Sequence, residues 1–267
     1  PFLVLKGSAC AHLDYPAPEW RCFGDVDLLV DADHIERARA LLLRTGGVRR
    51  FPEPRPGFDR TFSKGFAFEQ LNGLEIDVHR SLTGGPFGLA LDLDDLWQDS
   101  DSFRVGGRSF RALGRPRRFL HACYHALLGR TKPQLVPLRD VAQTAPIGTD
   151  ELDAVLEVAD RWRGTVVVAE AIRAASNELG WHPDRHLDAW AASYVGDRRE
   201  QRWLSGYREH GRAYATLTGL EAIPGVRRRA AYTRAVLLPD RTRLQHSRTE
   251  RWSRGLRSLR RSLAGPR

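Results

Sequence analysis

Apolar residues follow two rhythms along the chain, and the change falls near residue 114. Before it they come in short runs. "FLVL" reads as a strand from Phe2 to Leu5 that ends in a Gly7-Ser8 turn, and "ACAHLDY" as a helix stopped by Pro16 and Pro18. "DVDLLV" is a second strand. Asp33 and Glu36 have capping-box spacing, and Ile35, Ala38, Leu41 and Leu42 then recur at helical period until Gly46 and Gly47. "FPEPRPGFDR" reads as a loop. In "FAFEQLNGLEIDVH", Asn72-Gly73 marks a two-residue hairpin, with Leu74, Ile76 and Val78 on one face of its second strand and Glu75, Asp77 and His79 on the other. Beyond residue 114 the period lengthens to that of helices, in "RPRRFLHACYHALLGR", "DELDAVLEVADRW" and "TVVVAEAIRAASNEL". The pattern predicts an α/β (α+β) protein: a small mixed sheet in residues 1–113, a mainly helical region in 114–239, and a separate tail in 240–267.

Composition changes this picture in three places. No apolar run approaches a membrane span, and no signal-peptide pattern is present. Cys10, Cys22 and Cys123 are odd in number and lack metal-ligand spacing, which suits reduced thiols in a cytoplasmic protein. The chain begins at Pro1 and holds no Met, so a natural start is expected upstream. Its net charge of +9 would suggest nucleic acid, but the tail from Asp240 carries +7 and the preceding 239 residues only +2. Trp252, Leu256, Leu259 and Leu263 form an apolar stripe on that Arg-rich tail, which suits docking on the body or contact with an acidic partner, RNA or a membrane surface.

The polar positions of the strands raise the chemical question. Asp25 and Asp27, two apart in a strand, point to the same face. Buried carboxylates need a positive partner: a structural Arg, solvent at a strand end, or a metal ion. Asp77 lies on the polar face of another strand. Three such carboxylates on one sheet face would suit Mg2+, which takes its other ligands from water and phosphate. The Gly7-Ser8 step opens a helix, so its backbone N–H groups are candidates to meet an anion, with Lys6 and Arg21 as cationic help.

Taken together, "LKGSA", "RCFGDVDLLV", "EIDVHRSL", "FLHACYHALL", "LRDVAQ" and "LLPDRTRL" resemble the uncharacterised nucleotidyltransferases of the DNA polymerase beta-like superfamily. The resemblance implies that Gly7 and Ser8 hold a nucleoside triphosphate. It also implies that Asp25 and Asp27 bind two Mg2+ ions and that Asp77 binds the catalytic one. The spacer of sixteen residues between Ser8 and Asp25 is longer than the superfamily's compact motif. The reaction implied is transfer of a nucleotidyl group from an NTP with release of pyrophosphate. The rival readings are a non-catalytic nucleotide-binding module and an RNA-binding protein acting through its tail.

His79, His121 and His125 are further candidates to face substrate. The two helical histidines, four apart, share a helix face but lack the third ligand of a zinc site. The nearly neutral body favours a small-molecule or peptide-sized acceptor over long nucleic acid, with Arg115, Arg117 and Arg118 as a candidate basic patch.

Overall fold

The computed structural model describes residues 1–130, 132–208 and 211–240. The stripe at Trp252, Leu256, Leu259 and Leu263, and all of the tail beyond Asp240, lie outside the described residues.

The strands are β1 (Phe2–Leu5), β2 (Asp25–Val30), β3 (Val48–Arg49), β4 (Gly65–Glu69), β5 (Glu75–His79), β6 (Ser100–Val105) and β7 (Arg108–Leu113). They form one mixed sheet in the order β3-β4-β5-β2-β1-β7-β6. Helix α1 (Lys6–Leu13) follows β1, α2 (Ile35–Arg44) follows β2, and short α3 (Phe58–Thr61) and α4 (Gly85–Ala90) flank the β4–β5 hairpin. The chain then continues as α5 (Arg115–Leu128), α6 (Leu135–Thr144), α7 (Gly148–Arg161), α8 (Thr165–Leu179), α9 (Arg185–Ser193), α10 (Arg198–Arg208), α11 (Gly211–Ala222) and α12 (Val226–Leu237). No helix among the described residues is long and apolar enough to cross a membrane.

Central position explains the continuous apolar run of β1. It pairs antiparallel with β2 and parallel with β7, so Leu3, Val4 and Leu5 are buried on both faces. Strand β5 keeps its two-residue alternation because its faces differ. Val78 packs with Val30, Ile35, Phe66 and Phe68 under α2, while Asp77 and His79 face the other way.

Three local expectations shift. Asp31, not Asp33, caps the entry to α2: its carboxylate accepts from the Asp33 N–H at 2.8 Å and leads the chain through a turn at Ala32–His34. Leu41 stays exposed while Ala38 and Leu42 pack. The β4–β5 loop spans residues 70–74, closed by Gln70 N–H to the Leu74 carbonyl, so Leu74 precedes the strand and is exposed. A single apolar cluster crosses residue 114: Leu3, Leu5 and Leu29 of the sheet pack with Phe119, Leu120 and Tyr124 of α5 and with Val167 and Ile172 of α8.

Candidate functional site

Sheet register builds the site. Strands β2 and β5 run parallel with Asp25 beside Glu75, Asp27 beside Asp77 and Leu29 beside His79. In the antiparallel β1–β2 pair, Leu5 stands opposite Asp27, so the next residue, Lys6, begins a helix right at that carboxylate. No turn separates strand from helix. Lys6 takes a positive φ of 43° and the chain passes directly into α1, so Gly7 and Ser8 lie in its first turn rather than before it. Gly7 is needed for close packing, since a Cβ there would stand 2.6 Å from the Cβ of Phe23, just upstream of Asp25. The N–H groups of that first helical turn have no intrahelical acceptors.

Asp27 is the centre. Its Oδ1 accepts from Lys6 Nζ at 2.5 Å and lies 2.6 Å from His79 Nε2. Asp27 and His79 are almost fully buried, and Asp77 is half-buried beside them. Ligand atoms of Asp27, Asp77 and His79 all fall within 4.8 Å of one another. Asp25 is partly buried at the start of β2 and stands outside that group of three. Helix α5 closes the site from above: His121 is buried and His125 half-buried, both within electrostatic reach of Lys6 and Asp27.

The electrostatics are uneven. Burial pushes the Asp27 carboxyl up, but the His79 hydrogen bond and the Lys6 charge outweigh it and hold Asp27 well below the usual carboxylate range. Asp77 is raised, first by burial and then by the charge of Asp27. His79 is lowered to about 3 by burial and by the charges of Lys64 and Lys6. His125 is lowered to about 3, and His121 also well down, both chiefly by burial. Near neutral pH the site thus holds an ionised Asp27 and neutral imidazoles.

Three buried polar atoms here have no hydrogen-bond partner: Asp77 Oδ1, His79 Nδ1 and His121 Nε2. Folded proteins seldom leave such atoms unmatched unless a ligand, ion or water completes them. The donor set of two carboxylates and an imidazole fits a divalent cation, with Asp27 and Asp77 as the residues that would hold it.

Two clefts adjoin the cluster. One of about 310 Å³ is lined by Asp77, His79, Lys64, Arg49 and Phe66. The second, about 560 Å³, is walled by Phe58, Phe62, Tyr124, Tyr207 and Tyr232 and reaches His125. They share Pro54, Phe58, Ser63 and Lys64. Both volumes suit small-molecule sites.

Arg21, expected beside the nucleotide, is directed elsewhere. Its guanidinium binds Asp140 of α6 through Nε at 2.7 Å and Nη2 at 2.8 Å, and donates to the Cys22 carbonyl. Tyr15 Oη donates to the same Asp140 at 2.8 Å. The long Ser8–Asp25 spacer thus carries Tyr15 and Arg21, which bind Asp140 of α6. The expected basic patch is also absent at Arg117 and Arg118. Both are buried, Arg117 on Asp95 and Asp99, Arg118 on Asp14 and Asp101. Arg115 pairs with Glu151.

Lys64 is the site residue the sequence reading missed. It lines both clefts and its charge acts on Asp77 and His79. A signal existed: the chain has only three lysines amid many arginines, and two of them, Lys6 and Lys64, flank the cluster.

The profile of a family described as uncharacterised nucleotidyltransferase matches residues 1–180. Among curated proteins none matches the chain. A solved antigenic nucleotidyltransferase-like protein from Paracoccidioides brasiliensis is similar at 17% identity, with a TM-score of 0.36, over 66% of this chain and 84% of its own. With two thirds of its length under the family profile, the chain belongs to the uncharacterised nucleotidyltransferase family.

Proposed function

We propose that the protein transfers a nucleotidyl group from an NTP to a hydroxyl or amine of a small-molecule or peptide-sized acceptor, with divalent cations of the Mg2+ class held at Asp25, Asp27 and Asp77. The observation that carries this reading is the side-by-side register of Asp27 and Asp77, with the buried Oδ1 of Asp77 left without a hydrogen-bond partner. When bound, the cations neutralise charge on the phosphates and lower the acceptor's resistance to deprotonation.

The chain's own groups supply the rest. The acceptor oxygen or nitrogen attacks the α-phosphorus and forms the new bond as the bond to the bridging oxygen of the β-phosphate breaks. Pyrophosphate leaves with that electron pair. The acceptor's proton passes to the Asp77 carboxylate or to water. Lys6 and Lys64 stand where negative charge accumulates, and the first-turn N–H groups of α1, including those of Gly7 and Ser8, offer donors to the triphosphate. Holding both reactants in adjoining clefts supplies orientation.

Acceptor size follows from the clefts and from the arginines. The aromatic-walled cleft suits a compact ligand, and Arg117 and Arg118 are spent on buried ion pairs rather than on a polyanion track. The test is a screen for pyrophosphate release with each NTP against panels of small acceptors, peptides and RNA. Release with small acceptors or peptides, lost in Asp27→Asn, is the expected result. Extension of RNA with small acceptors inert would overturn the acceptor assignment, and NTP binding without any turnover would overturn catalysis.

A further inference from the structure

The donor atoms around Asp27 are not all oxygen. His79 sits on β5 between two paired strands, β4 and β2, so its backbone is fixed on both sides. It is 1% exposed, with Nε2 2.6 Å from Asp27 Oδ1, and a ring nitrogen of His79, a carboxylate oxygen of Asp27 and one of Asp77 all lie within 4.8 Å of one another. Ligands about 2.1 Å from one ion lie roughly 3–4.2 Å apart, a span this triplet reaches with sub-ångström adjustment. Its other nitrogen, Nδ1, is buried without a partner, so the contact with Asp27 is the one hydrogen bond given for the ring among the described residues.

Resting on the nucleotidyl-transfer reading, we propose that His79 is a direct nitrogen ligand of the cation at Asp27 and Asp77, which makes that position selective for a transition-metal ion such as Mn2+ over Mg2+. Mg2+ dehydrates reluctantly and is held through carboxylates, phosphates and water, whereas an imidazole beside carboxylates favours first-row transition metals. Asp25, outside the triplet, belongs with an all-oxygen position that suits Mg2+. The two cation positions therefore differ in chemistry. The competing arrangement has His79 only donating its Nε2–H to Asp27 and orienting it from outside the coordination sphere.

Pulsed electron paramagnetic resonance separates the two. The full chain is loaded with Mn2+ alone, and nitrogen hyperfine modulation is recorded together with Mn2+ and Mg2+ affinities. Expected are imidazole nitrogen coupling in the wild type, Mn2+ bound at least ~10-fold tighter than Mg2+, and loss of the coupling in His79→Gln with Mn2+ affinity down about 10–100-fold. His79→Gln keeps an N–H donor for Asp27, and His121→Gln and His125→Gln should retain the coupling. Bound Mn2+ without nitrogen coupling in the wild type overturns the ligand assignment, whatever the variants do, and leaves nucleotidyl transfer standing. Coupling that survives in His79→Gln also overturns it. Failure of the wild type to bind any divalent cation overturns both.

Discussion

Two buried aspartates, Asp27 and Asp140, lie at opposite ends of the same packing problem. Each is almost fully buried and each meets a cation. Around Asp140 the account is closed: both oxygens accept from Arg21, Tyr15 adds a third bond, and none of its side-chain atoms is left over. Around Asp27 the account is open. Lys6 and His79 both converge on the same oxygen, Asp77 adds a second carboxylate, and buried atoms of Asp77, His79 and His121 have no partner. A structural ion pair satisfies itself, whereas a ligand site leaves valences for something else. The difference separates an aspartate that serves the fold from one free to serve a ligand; in sequence Asp27 is half of an Asp-x-Asp pair, whereas Asp140 follows Arg139 without such a companion.

The largest expected effect breaks the open cluster. Asp27→Asn should cut turnover by about 10³-fold or more, roughly 4 kcal/mol of barrier. It removes the charge shared by Lys6 and the cation, with almost no change of shape. Steady-state pyrophosphate release on material shown to be folded by circular dichroism checks this.

Breaking the closed cluster should act on stability instead. Asp140→Ala leaves the Arg21 guanidinium buried without its carboxylate, which costs about 3–5 kcal/mol of folding stability. Denaturant melts measure the loss, and NTP affinity of the fraction still folded should be unchanged.

Acid sharpens the contrast further. His79 and His125 are lowered to about 3 when folded, against about 6.5 unfolded. Between those values the unfolded chain takes up protons that the folded site excludes. Their contribution to stability is therefore present above about pH 6.5 and is lost as pH falls toward 3, at about 1.4 kcal/mol per pH unit for each excluded proton. Thermal melts across that range should show a steep fall, shallower in His125→Gln.

The smallest effect has the opposite sign. In metal-chelated buffer at neutral pH, Asp77→Asn should raise the melting temperature by about 1–3 °C, because it removes the cost of burying that charge and its repulsion with Asp27. The same variant should lose most of its turnover. Gain of stability with loss of activity is the signature of a site held open for a ligand.

Much of this was legible from residue order. The limits of β2 and α8 follow from apolar runs bounded by turn residues, those of β1 from its apolar run alone, and α5 from Pro116 and a helical period. The resemblance also picked out the acids that the sheet gathers. Strands β6 and β7 escaped notice because their alternation is weak, with Phe103 the one buried residue of β6. The Gly106-Gly107 turn between them, both at positive φ, was the available signal. Partner choice was beyond the sequence. Arg21 and Asp140 stand 119 residues apart, and nothing local says that the arginine turns to α6 rather than to a phosphate. The near-complete burial of His79 is likewise something the strand's own alternation cannot report.

The central claim is that the open cluster performs nucleotidyl transfer. The direct measurement is label transfer from NTPs carrying ³²P at either the α or the γ position, with divalent cation and a pool of small acceptors and peptides. The account predicts that the α label becomes attached to acceptor, the γ label leaves in pyrophosphate, and both signals vanish in Asp27→Asn. Transfer of the γ label to acceptor, or α-label transfer that persists undiminished in Asp27→Asn, would contradict it.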